Sequence, residues 1–174
     1  NKKYNTPKYK LSVALIVKNE GPYIVEWIEY YKMLGFRRMY IYDNDSTDRT
    51  YNRIKKYIKS GLVRYIKIPG RARQLDAYND ALKIARKESK YLAILDADEF
   101  LFSINGKDIY SIVDKYMTSN DHVGGLGINW LIFGSGGQKN KTNGLVTQRF
   151  YYRSKYDFYK NRHVKTICDP RKVA

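Results

Sequence analysis

The chain has 174 residues, with 33 lysines and arginines against 17 aspartates and glutamates, a formal net charge of +16. That length makes one domain, or one domain with an appendage, and the charge calls for an anionic partner: nucleic acid, an anionic membrane surface or a phosphorylated ligand. A single cysteine, Cys168, excludes an internal disulfide; His122 and His163 alone cannot make a Cys/His metal cluster, and no apolar run approaches the roughly 20 residues of a membrane span.

Asn1 to Lys10 reads as a polar tail. Leu11 to Val17 is a nearly continuous apolar, β-branched run, the pattern of a strand buried on both faces. Lys18-Asn19-Glu20-Gly21-Pro22 breaks it, and Pro22 is suited to opening a helix. Ile24, Trp27, Ile28, Tyr31 and Leu34 then recur at helical spacing up to Gly35. Arg37 to Tyr42 is the second strand, ending in the polar run Asp43 to Asp48. Tyr51, Ile54 and Ile58 mark a second helix, and Leu62 to Ile68 a third strand closed by Pro69-Gly70. After the basic turn at Arg71 and Arg73, Leu75, Tyr78, Leu82 and Ala85 mark a third helix. Tyr91 to Leu95 is the fourth strand, and it runs into Asp96, Asp98 and Glu99. The alternation predicts an α/β fold with a mostly parallel central sheet and helices on both faces.

Beyond Leu101 the rhythm is lost. A helix is expected over 108–116, a glycine-rich strand over 123–133, a mobile loop from Gly134 to Gly144, and strands over 145–152 and 163–168. The division expected is a polar tail to residue 10, a nucleotide-sugar-binding half over 11–102, and an acceptor-side half of the same domain over 103–174. The start at Asn1 rather than Met is expected of a piece of a longer chain.

In a parallel sheet the carboxyl ends of the strands share one edge, where ligands bind. Lys18, Asn19, Glu20, Asp43, Asn44, Arg71, Arg73, Asp96 and Asp98 are all predicted there. Clustered carboxylates repel one another, and a hard divalent cation held by oxygen ligands relieves that repulsion. Arginines suit a diphosphate. A solvated acidic turn is the blander reading of Asp96-Ala97-Asp98 alone; the matching clusters at the other strand ends weigh against it. No Gly-x-x-x-x-Gly-Lys-Ser/Thr loop and no Gly-x-Gly-x-x-Gly follows the first strand, which argues against P-loop ATPases and dinucleotide dehydrogenases.

The same residues carry a family resemblance. Lys18-Asn19-Glu20, Tyr42 to Asp48, Gln74 with Ala77-Tyr78-Asn79, and Leu95 to Leu101 resemble the successive motifs of glycosyltransferases with the GT-A fold. The likeness is to family 2, and more closely to its relatives of the family 92 type. Trp130 to Ser135, Arg149-Phe150 and Lys165-Thr166-Ile167 before Pro170 extend it. The resemblance implies inverting transfer of a sugar from a nucleotide sugar, usually UDP-linked, with Mn or Mg. It implies Asp96 at the ribose or the metal and Asp98 on the metal. Asn44 falls where family 2 often has a uracil-reading Asp, and Asn79 joins the nucleotide-sugar residues. Trp130, Phe133 and Gly134 are expected on the acceptor side, although Trp130 and Phe133 as core residues is an even alternative. Family 2 places its general base in a Glu-Asp pair well after the metal motif; no such pair occurs here after Phe100. Asp157 and Asp169 are the candidates, with His163 weaker, or the base lies past Ala174.

The function expected is assembly of a surface polysaccharide or glycolipid, in the cytoplasm or at the inner face of a membrane. A glycan or glycolipid acceptor and contact with anionic lipid follow, and no specific nucleic acid is expected. The competitors are a nucleotidyltransferase and a non-catalytic polyanion-binding module, which would not need the acidic edge.

Overall fold

A computed structural model describes residues 6–140 and 142–173. Its main sheet has six strands: β1 (Tyr9–Val17), β2 (Arg38–Asp43), β3 (Val63–Lys67), β4 (Ser89–Ile94), β5 (Gly125–Asn129) and β8 (Val164–Cys168). Their order across the sheet is β3-β2-β1-β4-β8-β5. The first four pair in parallel, and β8 runs antiparallel between β4 and β5. The helices α1 (Ile24–Met33), α2 (Thr50–Lys59) and α3 (Gln74–Glu88) make the crossovers, and α4 (Ile109–Met117) follows the acidic turn. The mostly parallel α/β sheet expected from the alternation is present. β1 starts two residues before Leu11, because Tyr9 already pairs with Ser89.

Both faces of the central strands β1, β2 and β4 are buried, as their continuous apolar runs require. Val13, Leu15 and Val17 of β1 and Met39 and Ile41 of β2 join Ile24, Trp27, Ile28 and Ile54 in one core. Ala14, Tyr40, Tyr42 and Leu92 face the other way, onto Ala77, Ala81 and Ala85 of α3. The small stripe on α3 lets that helix sit close to tyrosines whose hydroxyls need partners. Tyr40 donates to Glu88 at 2.8 Å and Tyr42 to Asp80 at 2.8 Å.

The second half departs from expectation in two places. The run 123–133 is not one strand: β5 ends at Asn129, the Trp130 amide donates to the His163 carbonyl, and β6 (Phe133–Gly134) pairs with β7 (Tyr152–Arg153). The run 145–152 is a short helix, α5 (Val146–Arg149), followed by β7. Glu26 of α1 explains α5. Its carboxylate accepts from the Val146 amide at 2.7 Å and from the Thr147 amide and hydroxyl at 2.9 Å. These are helix-start N–H groups that a carboxylate satisfies best. The loop between β6 and α5 is anchored at its start, where the Tyr152 ring lies over Gly136: a Cβ there would stand 2.1 Å from the ring.

Candidate active site

The strand register aligns the edge. Val17 stands beside Asp43, and Asp43 beside Lys67, so the loops after β1, β2 and β3 rise together. Three non-glycine residues in these loops have left-handed backbone: Asn19 (φ 60), Asp45 (φ 60) and Ala72 (φ 54). Such conformations persist where surrounding contacts over-determine them, and they cluster at functional sites. The contacts are present. Asn19 Oδ1 accepts from the Thr47 amide at 2.8 Å, and its own amide donates to Ser46 Oγ at 2.9 Å. The Asn44 side chain donates to the carbonyls of Ile68 and Gly70 at 2.8 and 2.7 Å, and Asp45 accepts from the Gly70 amide at 2.9 Å. Asp43 is buried, accepting from Ser46 N at 2.8 Å and from the Tyr65 hydroxyl at 2.6 Å. It borders a cavity of about 670 Å³ shared with Asp45, Asp48, Tyr51 and Lys67.

The acidic turn after β4 is held from behind by the aromatic residues of α1. The Trp27 indole donates to the Asp96 carbonyl at 3.1 Å, the Tyr31 hydroxyl to the Glu99 carbonyl at 2.9 Å, and the Tyr30 hydroxyl to the Leu101 carbonyl at 2.8 Å. Trp27 and Tyr31 are fully buried, so their polar tips fix the turn while their rings fill the core. The side chains then diverge. Asp96 Oδ2 meets Lys165 Nζ of β8 at 2.5 Å, and its Oδ1 accepts from the Tyr78 hydroxyl of α3 at 3.3 Å. Glu99 also meets Lys165, at 3.3 Å, and accepts from the Asp96 amide at 2.9 Å. Asp98 is exposed and makes no hydrogen bond or ion pair among the described residues.

The electrostatics follow this arrangement. Burial raises the Glu20 carboxyl above the ordinary range, and the charges of Asp98 and Asp48 add to the shift. Burial also raises Glu99, against the opposing Asp96 amide and Lys165 ammonium. For Lys165, burial acts downward, but the bonds to Asp96 and Glu99 outweigh it and hold the ammonium above its usual value. Beyond the turn opens a cavity of about 1160 Å³, bordered by Asp96, Asp98, Trp130, Phe133, Asp157 and Lys165 among others.

A family model described as glycosyltransferase family 92 matches residues 12–174. The chain belongs to glycosyltransferase family 92. A family 92 protein of Ricinus communis is 26% identical over 134 residues, covering 76% of this chain and 24% of the relative. One of Arabidopsis thaliana is 29% identical over 97 residues, covering 55% of this chain and 17% of the relative. The chain therefore spans a quarter or less of the length of these relatives. Among solved structures, S. aureus TarS 1–349 is similar with a TM-score of 0.54 at 21% identity, over 77% of this chain and 38% of TarS. TarS 1–349 in complex with UDP-GlcNAc gives 0.52 at 23% identity, over 76% and 37%. The family 92 chain has the GT-A fold.

The family 92 edge brings together Asn19, Glu20, Asp43, Asn44, Asp96 and Asp98, though several act on the protein itself. Asn19 and Asn44 spend their amides on neighbouring loops. Lys18 and Arg71 are exposed at the strand ends, and Arg73 pairs with Asp76 at 2.9 Å. Asn79 is exposed on α3 and borders neither cavity; its neighbour Tyr78 is the residue that reaches Asp96. Trp130 and Phe133 are 37% and 40% exposed, so they are walls of the larger cavity rather than core. Gly134 is exposed beside Phe133 in β6.

One candidate is corrected. Asp169 lies at the wrong edge: β8 is antiparallel, Thr166 pairs with Ile94 and Cys168 with Leu92, so Asp169 falls toward the amino end of β4. It is buried there and clamped by Arg171 at 2.7 Å. Asp157 remains, exposed and bordering the larger cavity. His163 is exposed with its ring 5.2 Å from that of Trp130. The residue missed as a site member is Lys165. It stood within a quoted motif, but its role depends on a strand direction that no local pattern reveals.

Proposed function

We propose that this chain binds a nucleotide sugar, UDP-linked, along the carboxyl edge of its sheet. It transfers the sugar with inversion to a glycan or glycolipid acceptor in the adjoining cavity, with Mn or Mg at Asp98. The observation that carries the reading is that Asp98 and Asp157 border one cavity together with the exposed rings of Trp130 and Phe133. S. aureus TarS, which has the same fold, has been solved with UDP-GlcNAc and with UDP.

The residues suit a divalent cation of the kind that takes one or two carboxylates together with substrate phosphates. Asp98 has no protein partner among the described residues, and its uncompensated charge helps to raise Glu20. Among the described residues no three His, Cys, Asp or Glu side chains stand close enough to hold a cation unaided. When bound, the cation would supply neutralisation of the charge on the departing diphosphate.

The chain's own groups do the rest. Arg71 and Arg73 orient the diphosphate by bidentate bonds. Asn44 accepts the uracil imide proton at Oδ1, since both of its N–H bonds are directed at backbone. Asp157 takes the proton of the acceptor hydroxyl as that oxygen bonds to the anomeric carbon and the bond to the diphosphate breaks on the opposite face. Trp130 and Phe133 offer an apolar platform for the acceptor. The charge of +16 supports contact with an anionic membrane at its inner face, while no helix among the described residues is long and apolar enough to cross one.

Thermal shift with UDP, GDP and UDP-sugars, with and without Mn, tests this reading. A Mn-dependent rise with UDP species, absent in Asp98→Ala, is expected. Salt-sensitive binding to heparin with no response to any nucleotide would instead favour the polyanion module.

A further inference from the structure

Two carboxylates of the acidic turn face opposite situations. Asp98 is open to solvent and has no partner among the described residues, whereas both oxygens of Asp96 are engaged, one by the Lys165 ammonium and one by the Tyr78 hydroxyl. The Asp96 backbone is fixed as well, its carbonyl by Trp27 and its amide by Glu99. Lys165 and Glu99 are partly buried and Asp96 is more open: the side chains of Lys165, Glu99 and Asp96 are 21%, 17% and 39% exposed. For Asp96 to swing onto a cation beside Asp98, it would have to give up its bonds to the partly buried ammonium and to the Tyr78 hydroxyl, leaving Glu99 as the ammonium's remaining carboxylate. Separating a partly buried charge pair is unfavourable.

We propose that Lys165 is a positioning residue that holds the Asp96 carboxylate away from the divalent cation, so that Asp98 alone of the acidic turn takes it. This rests on the reading of Asp98 as the cation's residue. From β8 the ammonium reaches the turn that would receive the cation, and it repels that cation. A single carboxylate beside a fixed positive charge holds a divalent cation weakly, so the cation arrives together with the diphosphate, whose oxygens complete its shell. Lys165 thereby makes cation binding conditional on the nucleotide, and it leaves Asp96 oriented for hydrogen bonding instead of ligation.

The test is Mn binding to the nucleotide-free protein, read from the electron paramagnetic resonance of free Mn. Lys165→Met is expected to tighten the dissociation constant roughly 10-fold, the scale on which partners of metal-binding groups act, while Lys165→Arg stays near wild type. Two double variants separate ligation from simple charge. Lys165→Met with Asp96→Asn and Lys165→Met with Glu99→Gln remove the same charge, but only the first removes the freed ligand. The first should return to weak binding and the second should stay tight. Equal affinities in the two doubles, or no tightening in Lys165→Met, would overturn the proposal. Circular dichroism checks that each variant is folded, and Lys165→Gln replaces Lys165→Met in the same series if the latter is not. Asp98→Asn separates the two levels: Mn binding unchanged in that variant rejects the Asp98 reading itself, whereas its loss there with no effect at Lys165 rejects this proposal alone.

Discussion

The side-chain amide of Asn44 donates to the carbonyl of Gly70 at 2.7 Å, tying the loop after β2 to the loop after β3. With a second bond to Ile68, both N–H groups of Asn44 are spent and its oxygen is left for a ligand. Restoring the carboxylate that family 2 often carries here should therefore fail. Asn44→Asp would set a negative charge against two carbonyls and leave both unsatisfied, a loss of about 1–3 kcal/mol. We expect a lower melting temperature and weaker UDP binding, measured by thermal denaturation and calorimetric titration. An unchanged melting temperature with tighter UDP binding would contradict this account.

Trp27 joins the core of α1 to the acidic turn through one bond, from its indole to the Asp96 carbonyl at 3.1 Å. Trp27→Phe keeps most of the apolar surface and leaves that carbonyl without its donor. The expected loss is about 1–3 kcal/mol of stability in urea titration. Because the released carbonyl belongs to Asp96, hydrogen exchange at residues 96–99 should rise more than elsewhere in the sheet. A uniform rise across β1 to β4 would mean that the indole serves packing alone.

Glu26 caps α5 from 120 residues away. Glu26→Ala removes the acceptor for two amides and a hydroxyl, at roughly 0.5–2 kcal/mol for a lost helix cap. The effect should be local: faster amide exchange at Val146 and Thr147, with β1 and β4 amides unchanged. If those sheet amides exchange faster as well, α5 is coupled to the global fold more tightly than its contacts suggest.

Alkali should weaken this protein in a defined window. Burial pushes the Tyr91 hydroxyl up to about 12, aided by Asp114. Burial pushes the Cys168 thiol up to about 11, with Asp169 adding to it. Burial likewise raises Tyr31, Tyr40 and Tyr42. A group whose folded pKa lies above its unfolded value stabilises fully below the unfolded value and loses that contribution as pH rises through the folded one. Unfolded tyrosine and cysteine titrate near about 10 and 8.5. The melting temperature should thus decline from about pH 9 upward, and tyrosinate absorbance should show a late phase that appears only with unfolding. Complete tyrosine titration near about pH 10 in the still-folded protein would contradict the burial.

The first half of the fold was legible because each strand is a continuous apolar run and each helix carries a stripe, as at Ile24, Trp27, Ile28 and Tyr31. Those local periods fix the parallel sheet and put Asp43, Asp96 and Asp98 at one edge. The second half was not, because its elements are set by partners far away in sequence. Glu26 makes α5 out of a segment that reads as a strand, and the His163 carbonyl captures Trp130 where β5 would otherwise continue. Strand direction was equally hidden: it removed Asp169 from the site and brought Lys165 into it. Residue type was read more reliably than residue role. Asn19 and Asn44 stand at the edge as their positions suggest, yet much of their bonding holds loops.

The antiparallel strand β8 has a consequence for where the molecule can be divided. It covers β4, pairing Leu92 with Cys168 and Ile94 with Thr166. A fragment ending near residue 102 would carry the acidic turn on a strand whose outer row of N–H and C=O groups is bare. Exposed hydrophobic edges of that kind recruit other chains. Leu92, Ala93 and Ile94 would then invite self-association in the place where Lys165 should sit. The edge of β4 that carries the acidic turn is thus covered by a strand from the other half of the sequence, some 70 residues further along the chain.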